Sequence, residues 1–261
     1  KALSFASAKQ YTESSVLLTT STRYNVPIVT DQVVDALARR EIARMGAHAI
    51  PGQEIFIRDL ATRLEDIRAR RPYAFSNHLV LAKLYLATAG SDEGYLDKSV
   101  AVLQGLQDKG YDKPELFILL GTAYFEKGDY DAAFAQYQTI LDRKPDFGYG
   151  YNILAEAYLQ RRDTENAFTN YRRAFDSGYT PEQSLRTYIQ LSIGKGSMVD
   201  AAYAYELLIE RVPDDTQVYA TLAAIYKELG QYNNARRVLT RLLVRDITLK
   251  PQVDAFLATL P

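Results

Sequence analysis

Few residues in this chain have the type and spacing for covalent or metal chemistry. Cysteine is absent, which excludes disulfides, thiolate nucleophiles and thiolate metal sites. His48 and His78 are not spaced as a metal pair, and His78 reads as a packed structural side chain. The GKGS run at 194–197 superficially has the look of a phosphate loop. Its lysine is followed by Gly196 rather than Ser or Thr, however, and Ile189 stands where the leading glycine belongs, so a turn is expected. GYGYN at 148–152 lacks a third glycine and follows no strand. The basic run Arg68–Arg71 closes an amphipathic helix, where positive charge complements the helix dipole, and reads as a solvated face, with lipid or partner contact as the alternative. With no nucleophile–base pair and no metal constellation, the expectation is a chain that is not an enzyme and needs no cofactor or metal.

Composition narrows the partners further. The net charge of −1 gives no field to steer the chain toward nucleic acid or an anionic membrane. No apolar run approaches the roughly 18 residues that span a bilayer, so no direct membrane insertion is expected of this chain. It begins with Lys1 rather than Met, which suggests processing or a longer precursor.

The elements behind these residues repeat. PELFILLGTAYFEKGDYDAAFAQYQTILDRKPDF, from Pro114, reads as a helical hairpin. Phe117, Leu120, Gly121 and Tyr124 line the first helix, which Gly128 ends. Asp129 caps the second, which carries Ala133, Tyr137 and Ile140 and stops at Pro145. Steps of 34 residues reproduce the pattern as Tyr151, Leu154, Ala155, Tyr158, Ala167, Tyr171 and Ala174. The next step gives Leu185, Tyr188, Ile189, Ser192, Ala201, Tyr205 and Leu208, and the last Tyr219, Leu222, Ala223, Tyr226, Ala235, Leu239 and Leu242. A hairpin cannot cover its own apolar face, so the copies must stack.

An aromatic at position 4, Leu at 7, a small residue at 8, Tyr at 11, Ala at 20, an aromatic at 24 and Pro at 32 resemble the tetratricopeptide repeat family. The resemblance implies an all-α fold: a right-handed superhelical solenoid of antiparallel helix pairs. It assigns five repeats to 73–249, at about 75–113, 114–147, 148–181, 182–215 and 216–249. In the first, Leu81, Ala82 and Tyr85 precede a longer turn, GSDEG at 90–94, and then Ser99, Leu103 and Leu106. His78 falls on its position 4, a packing site.

Residues 1–72 read as degenerate repeats or a helical cap. Leu3, Phe5, Ala8 and Tyr11 suggest one helix, followed by a loop around Pro27. Thr30 or Asp31 then looks like the N-cap of a helix over Gln32–Met45, which Gly46 and the AIPG run at 49–52 break. A further helix spans about Gln53 to Arg71, with Phe56, Leu60, Leu64 and Ile67 in a stripe. At the other end Pro251 opens a capping helix, Gln252–Leu260, within 250–261.

In such solenoids the first helix of each pair lines a concave groove. Carried over by position, this marks Phe125, Glu126, Tyr149, Asn152, Glu156, Gln160, Arg186 and Gln190 as partner-binding, with Ile118, Thr122, Gln183, Gln217 and Lys227 beside them. A polar groove with aromatic anchors suits a protein partner, as an extended peptide or a helix. The slots of the family's carboxylate clamp hold Glu115, Ile118, Leu119 and Thr122, which argues against a C-terminal carboxylate ligand. The alternative is a structural protein that assembles head-to-tail into homo-oligomers or filaments, through Val253, Phe256, Leu257 and Leu260. The order of an Ala/Ser-rich helix, Arg39–Glu41–Ile42, a helix ending in Arg-Pro and then clean repeats also resembles the repeat tails of O-antigen-ligase-like membrane proteins. That resemblance implies a location outside the cytoplasm, in the periplasm or at the cell surface.

Overall fold

The computed structural model describes residues 27–44, 53–91 and 94–261. The described residues are helical, with turns between the helices and no strand among them. Their helices are α1 (Pro27–Arg44), α2 (Gln53–Arg70), α3 (Phe75–Thr88), α4 (Gly94–Gln107), α5 (Pro114–Glu126), α6 (Tyr130–Arg143) and α7 (Gly148–Gln160). The order continues with α8 (Thr164–Asp176), α9 (Glu182–Gly194), α10 (Met198–Arg211), α11 (Thr216–Glu228), α12 (Tyr232–Arg245) and α13 (Lys250–Leu257). Short 3-10 turns follow α3 and α12. The chain forms two compact units, divided between Ile140 and Leu141. In each of them, antiparallel helix pairs stack on their neighbours as expected of tetratricopeptide pairs.

Local chemistry explains the pair boundaries. Gly128, Gly178, Gly196 and Gly230 follow first or second helices with φ near +70° to +80°, the left-handed geometry that lets a helix end sharply. Asp129, Asp163 and Asp215 then accept backbone N–H groups of Ala132, Asn166 and Gln217 at the start of the next helix. In GKGS, Lys195 caps α9 and Gly196 turns the chain, as the sequence predicts. Lys195 pairs with Glu165 at 2.5 Å and stands 4.4 Å from the Phe168 ring centre, so its charge serves packing between pairs.

The cores follow the repeat register. In the first unit Phe56, Leu60, Leu64, Leu81, Tyr85, Leu103 and Leu120 are buried together. In the second, Tyr171, Leu185, Tyr188, Leu208, Tyr219, Leu222 and Leu239 are. Each such side chain contributes about 1.5–3 kcal/mol by leaving water. At position 8 the helices cross closely: a Cβ on Gly121 would lie 2.7 Å from Cδ1 and 2.9 Å from Cζ of Tyr137.

Position 11 carries more than packing. Tyr85 donates to Glu65, Gln104 donates to Tyr124 at 2.6 Å, and Tyr226 donates to Glu206 at 2.9 Å, each pair separated by 20 residues. The phenol thus ties a first helix to the second helix of the preceding pair. Because Glu65 lies on α2, that helix plays the second-helix role for α3. Where Ser192 replaces the tyrosine, its hydroxyl bonds back to the Tyr188 carbonyl at 2.7 Å, and Arg172 turns instead to Asp176 and Asp200.

Three expectations change at the amino-terminal end. Pro27 opens α1 rather than a loop, a position where its missing N–H costs nothing. Asp31 is consequently not an N-cap; it is buried inside the helix and pairs with Arg70 at 3.0 Å and Arg71 at 3.2 Å. The basic run is therefore not simply a solvated face: two of its guanidinium groups neutralise Asp31, and Arg68 Nε is buried. The end of the longer turn also differs, since Gly90 and Ser91 join the 3-10 turn and Gly94 begins α4. The expected helix near Leu3–Tyr11, Met45, Gly46, His48, the 49–52 run and residues 92–93 lie outside the described residues.

His78 is buried as a packing residue. Its Nδ1–H donates to the Ala74 carbonyl at 2.9 Å, and Nε2 is buried without a hydrogen-bond partner. Burial lowers its pKa, the Ala74 bond opposes this, and Lys109 and Arg68 lower it further.

Candidate functional site

The groove positions fall in both units, and each set is described within its own unit. In the first, Phe125 packs edge-on against Tyr130, ring centres 5.0 Å apart, and Glu126 is exposed. Thr122 turns its hydroxyl back to the Ile118 carbonyl at 2.9 Å.

In the second unit the structure gathers Tyr149, Asn152 and Glu156 along one stripe of α7. Helical spacing of three and seven residues puts them on the same side. Asn152 is buried, and its Nδ2 donates to Glu156 Oε1 at 2.7 Å, while Oδ1 is left without a hydrogen-bond partner. Glu156 is exposed and makes no ion pair among the described residues. Tyr149 is 39% exposed, open enough to offer a ring face.

One further residue joins them that position alone does not mark. Helix α8 ends at Asp176 and the chain turns at Gly178, with Gly178 N–H donating to Phe175 O and Tyr179 N–H to Ala174 O, both at 2.9 Å. This turn lays Tyr179 over the start of α7, its ring centre 5.3 Å from that of Tyr149 at an interplanar angle of 56°. The approach is possible because residue 148 is glycine: a Cβ there would lie 2.6 Å from Tyr179 Cβ and 3.0 Å from the Ala174 carbonyl oxygen. The glycines of GYGYN, which do not make a phosphate loop, are the sequence signal for this close packing. Gly150 likewise faces Phe147 and Leu141.

Burial raises the pKa of the Tyr149 phenol, with Tyr179 and Glu156 adding to it. Burial, then Glu156, raises Tyr179 as well. Tyr171, buried beneath, is pushed up to about 12 by burial and by Glu156. One carboxylate thus acts on three phenols, each of whose pKa is raised chiefly by burial.

The other groove positions differ in freedom. Gln160 and Gln190 are exposed, and their side chains make no hydrogen bond among the described residues. Arg186 is committed, to Glu182 at 2.8 Å and to Asp215 at 3.5 Å, so it ties α9 to the residue capping α11. Lys227 donates to Thr259 at 2.8 Å and stands 5.5 Å from the Phe256 ring centre. Gln217 donates to Thr221 at 3.3 Å.

The expected self-association face is largely used by its own chain. Val253 is buried in the core of the second unit, and Phe256, Leu257 and Leu260 are partly buried against that core. The helix is α13, shorter than 252–260, because the chain turns at Ala258–Leu260 through bonds back to Asp254, Phe256 and Leu257. Beside it lies a cleft of about 300 Å³ lined by Leu239, Leu242, Val253 and Phe256 with Thr216 and Gln217. Among the described residues no group of three His, Asp or Glu could hold a metal ion, and no helix is long and apolar enough to cross a membrane.

Comparison with known proteins finds the same kind of repeat. A family described as tetratricopeptide repeat matches residues 86–146 and 118–179, and a second of the same description matches 216–243. No curated protein matches the chain. Among solved structures, one of MamA protein is 15% identical with a TM-score of 0.43, covering 68% of this chain and 96% of its own. A tetratricopeptide repeat protein from Parabacteroides merdae is 14% identical with a TM-score of 0.45, covering 81% and 80%.

Proposed function

Tetratricopeptide repeats run through this chain at residues 86–179 and 216–243, and from that premise we propose that it is a non-catalytic scaffold holding an extended peptide or a helix of a partner protein along the first helices of its pairs. In this reading the pairs within 73–249 carry the binding positions, each unit presenting its own, and residues 250–261 cap the second unit. The supporting observation is a difference in commitment among outward polar groups. Arg186 and Lys227 are spent on contacts within the chain. Glu156, Gln160 and Gln190 stand exposed on α7 and α9 with no such tie to another helix. Uncommitted polar groups beside an exposed aromatic are what a peptide groove needs, since they lose no internal bond when a ligand arrives.

The test is selection of a displayed random peptide library, followed by photocrosslinking from benzoylphenylalanine placed at Gln160, at Gln190 or, as control, at Thr169 on α8. Crosslinks from Gln160 and Gln190 but not from Thr169 are expected. A library without ligands, or crosslinks confined to Thr169, overturns the assignment.

A further inference from the structure

We propose that Tyr149, Tyr179 and Glu156 form a pocket for one lysine or arginine side chain of the bound partner segment. The proposal rests on the groove reading above and names what the groove selects.

The chain itself shows the pattern. Lys195 lies against the Phe168 ring at 4.4 Å and pairs with Glu165 at 2.5 Å, so ring, carboxylate and ammonium complete one another. Arg172 stands 3.8 Å from the Tyr203 ring centre and pairs with Asp176 at 3.1 Å. Lys98 stands 5.6 Å and 5.4 Å from the stacked rings of Tyr85 and Tyr95. At Tyr149 and Tyr179 the same parts are present, two tilted rings 5.3 Å apart and an acid whose charge reaches both phenols. Among the described residues no cation of the chain stands over either ring or pairs with Glu156. The site is complete except for the positive charge.

The geometry also shows preparation. A cation gains most from ring faces within about 6 Å, and more when it is partly desolvated. Gly148 permits the approach that sets the two rings at 56°, which opens a wedge rather than a closed stack. Asn152 is a positioning residue: its amide fixes the Glu156 carboxylate at 2.7 Å. It does so while leaving its own buried Oδ1 unpaired. A buried unmet acceptor costs stability, and here that cost is borne where the amide orients the carboxylate.

The test uses the whole chain and short Gly/Ser peptides with one central Lys, Arg, norleucine or Glu, read by NMR of ¹³C-tyrosine-labelled protein and by affinity. Lys and Arg peptides are expected to shift the Tyr149 and Tyr179 signals, leave Tyr203 in place, and bind about tenfold tighter than the norleucine peptide. Glu156→Gln and Tyr149→Leu should each remove that preference with circular dichroism unchanged. Asn152→Ser should lower the Lys-to-norleucine ratio, which a merely structural residue would not move. Equal binding of Lys and norleucine peptides, or shifts only at other tyrosines, overturns the pocket. If library ligands crosslink at Gln160 and Gln190 without any Lys or Arg preference, the groove stands and the pocket falls. If the Lys peptide shifts Tyr149 and Tyr179 while those crosslinks are absent, the pocket stands and the extended groove falls.

Discussion

Tyr226 donates a 2.9 Å hydrogen bond to Glu206, and the same carboxylate accepts Arg237 at 3.0 Å and Arg241 at 2.9 Å. One acid on α10 thereby binds both helices of the following pair. This bond, repeated in kind at Tyr85–Glu65 and Gln104–Tyr124, gives the position-11 residue a role in stacking beyond its hydrophobic area.

Glu206→Ala should therefore destabilise the chain by about 1–3 kcal/mol, because it leaves the phenol of the buried Tyr226 and two guanidinium groups without their shared acceptor. Glu206→Gln, which keeps an acceptor, should lose less. Thermal unfolding followed by circular dichroism checks both; equal losses would show that charge, not the tyrosine bond, dominates.

Two glycines on first and second helices should respond oppositely to alanine. Gly121→Ala forces a Cβ into the Tyr137 ring and should cost about 1–3 kcal/mol. Gly105→Ala meets nothing within 4 Å and should be neutral or stabilising by up to about 1 kcal/mol through helix propensity. Urea midpoints of the two variants measure the contrast.

His78 should make stability depend on pH in a stated direction. Its folded pKa lies below the unfolded value of 6.5, chiefly because burial disfavours the imidazolium. Above 6.5 both states are neutral and nothing is lost. As pH falls below 6.5, the unfolded chain binds a proton first and stability declines, until the folded imidazole also protonates. Comparing denaturation midpoints of the parent and His78→Leu between pH 7.5 and 5 (values chosen to bracket about 6.5) should show a steeper decline in the parent.

Asp31→Ala should loosen α1 locally rather than the whole chain. It removes the anion that Arg70 and Arg71 neutralise across the α1–α2 contact. Hydrogen exchange is expected to quicken at α1 amides, with little change at α9–α12; uniform quickening would contradict a local role.

The sequence determines the helix pairs because their signals are local and periodic. Glycine ends, aspartate caps and apolar spacing act within one hairpin, and 34-residue recurrence makes each copy check the others. Its reading failed at Pro27 and Asp31, where the repeat has decayed and no second copy corrects the register. It also marked groove positions without knowing which were committed: Arg186 and Lys227 look as free in sequence as Gln160 and Gln190. Val253 reads as an open sticky face until its own core is seen to cover it.

What the chain determines by itself, then, is that tetratricopeptide-like helix pairs stack within each unit, since burial of a repeated apolar face is encoded residue by residue. Which polar and aromatic side chains remain unspent was decided only by the tertiary structure. Tyr179 meets Tyr149 across a turn and a helix, through the missing Cβ of Gly148. Such an encounter depends on the distance between two backbones, a quantity that no single helix's spacing contains.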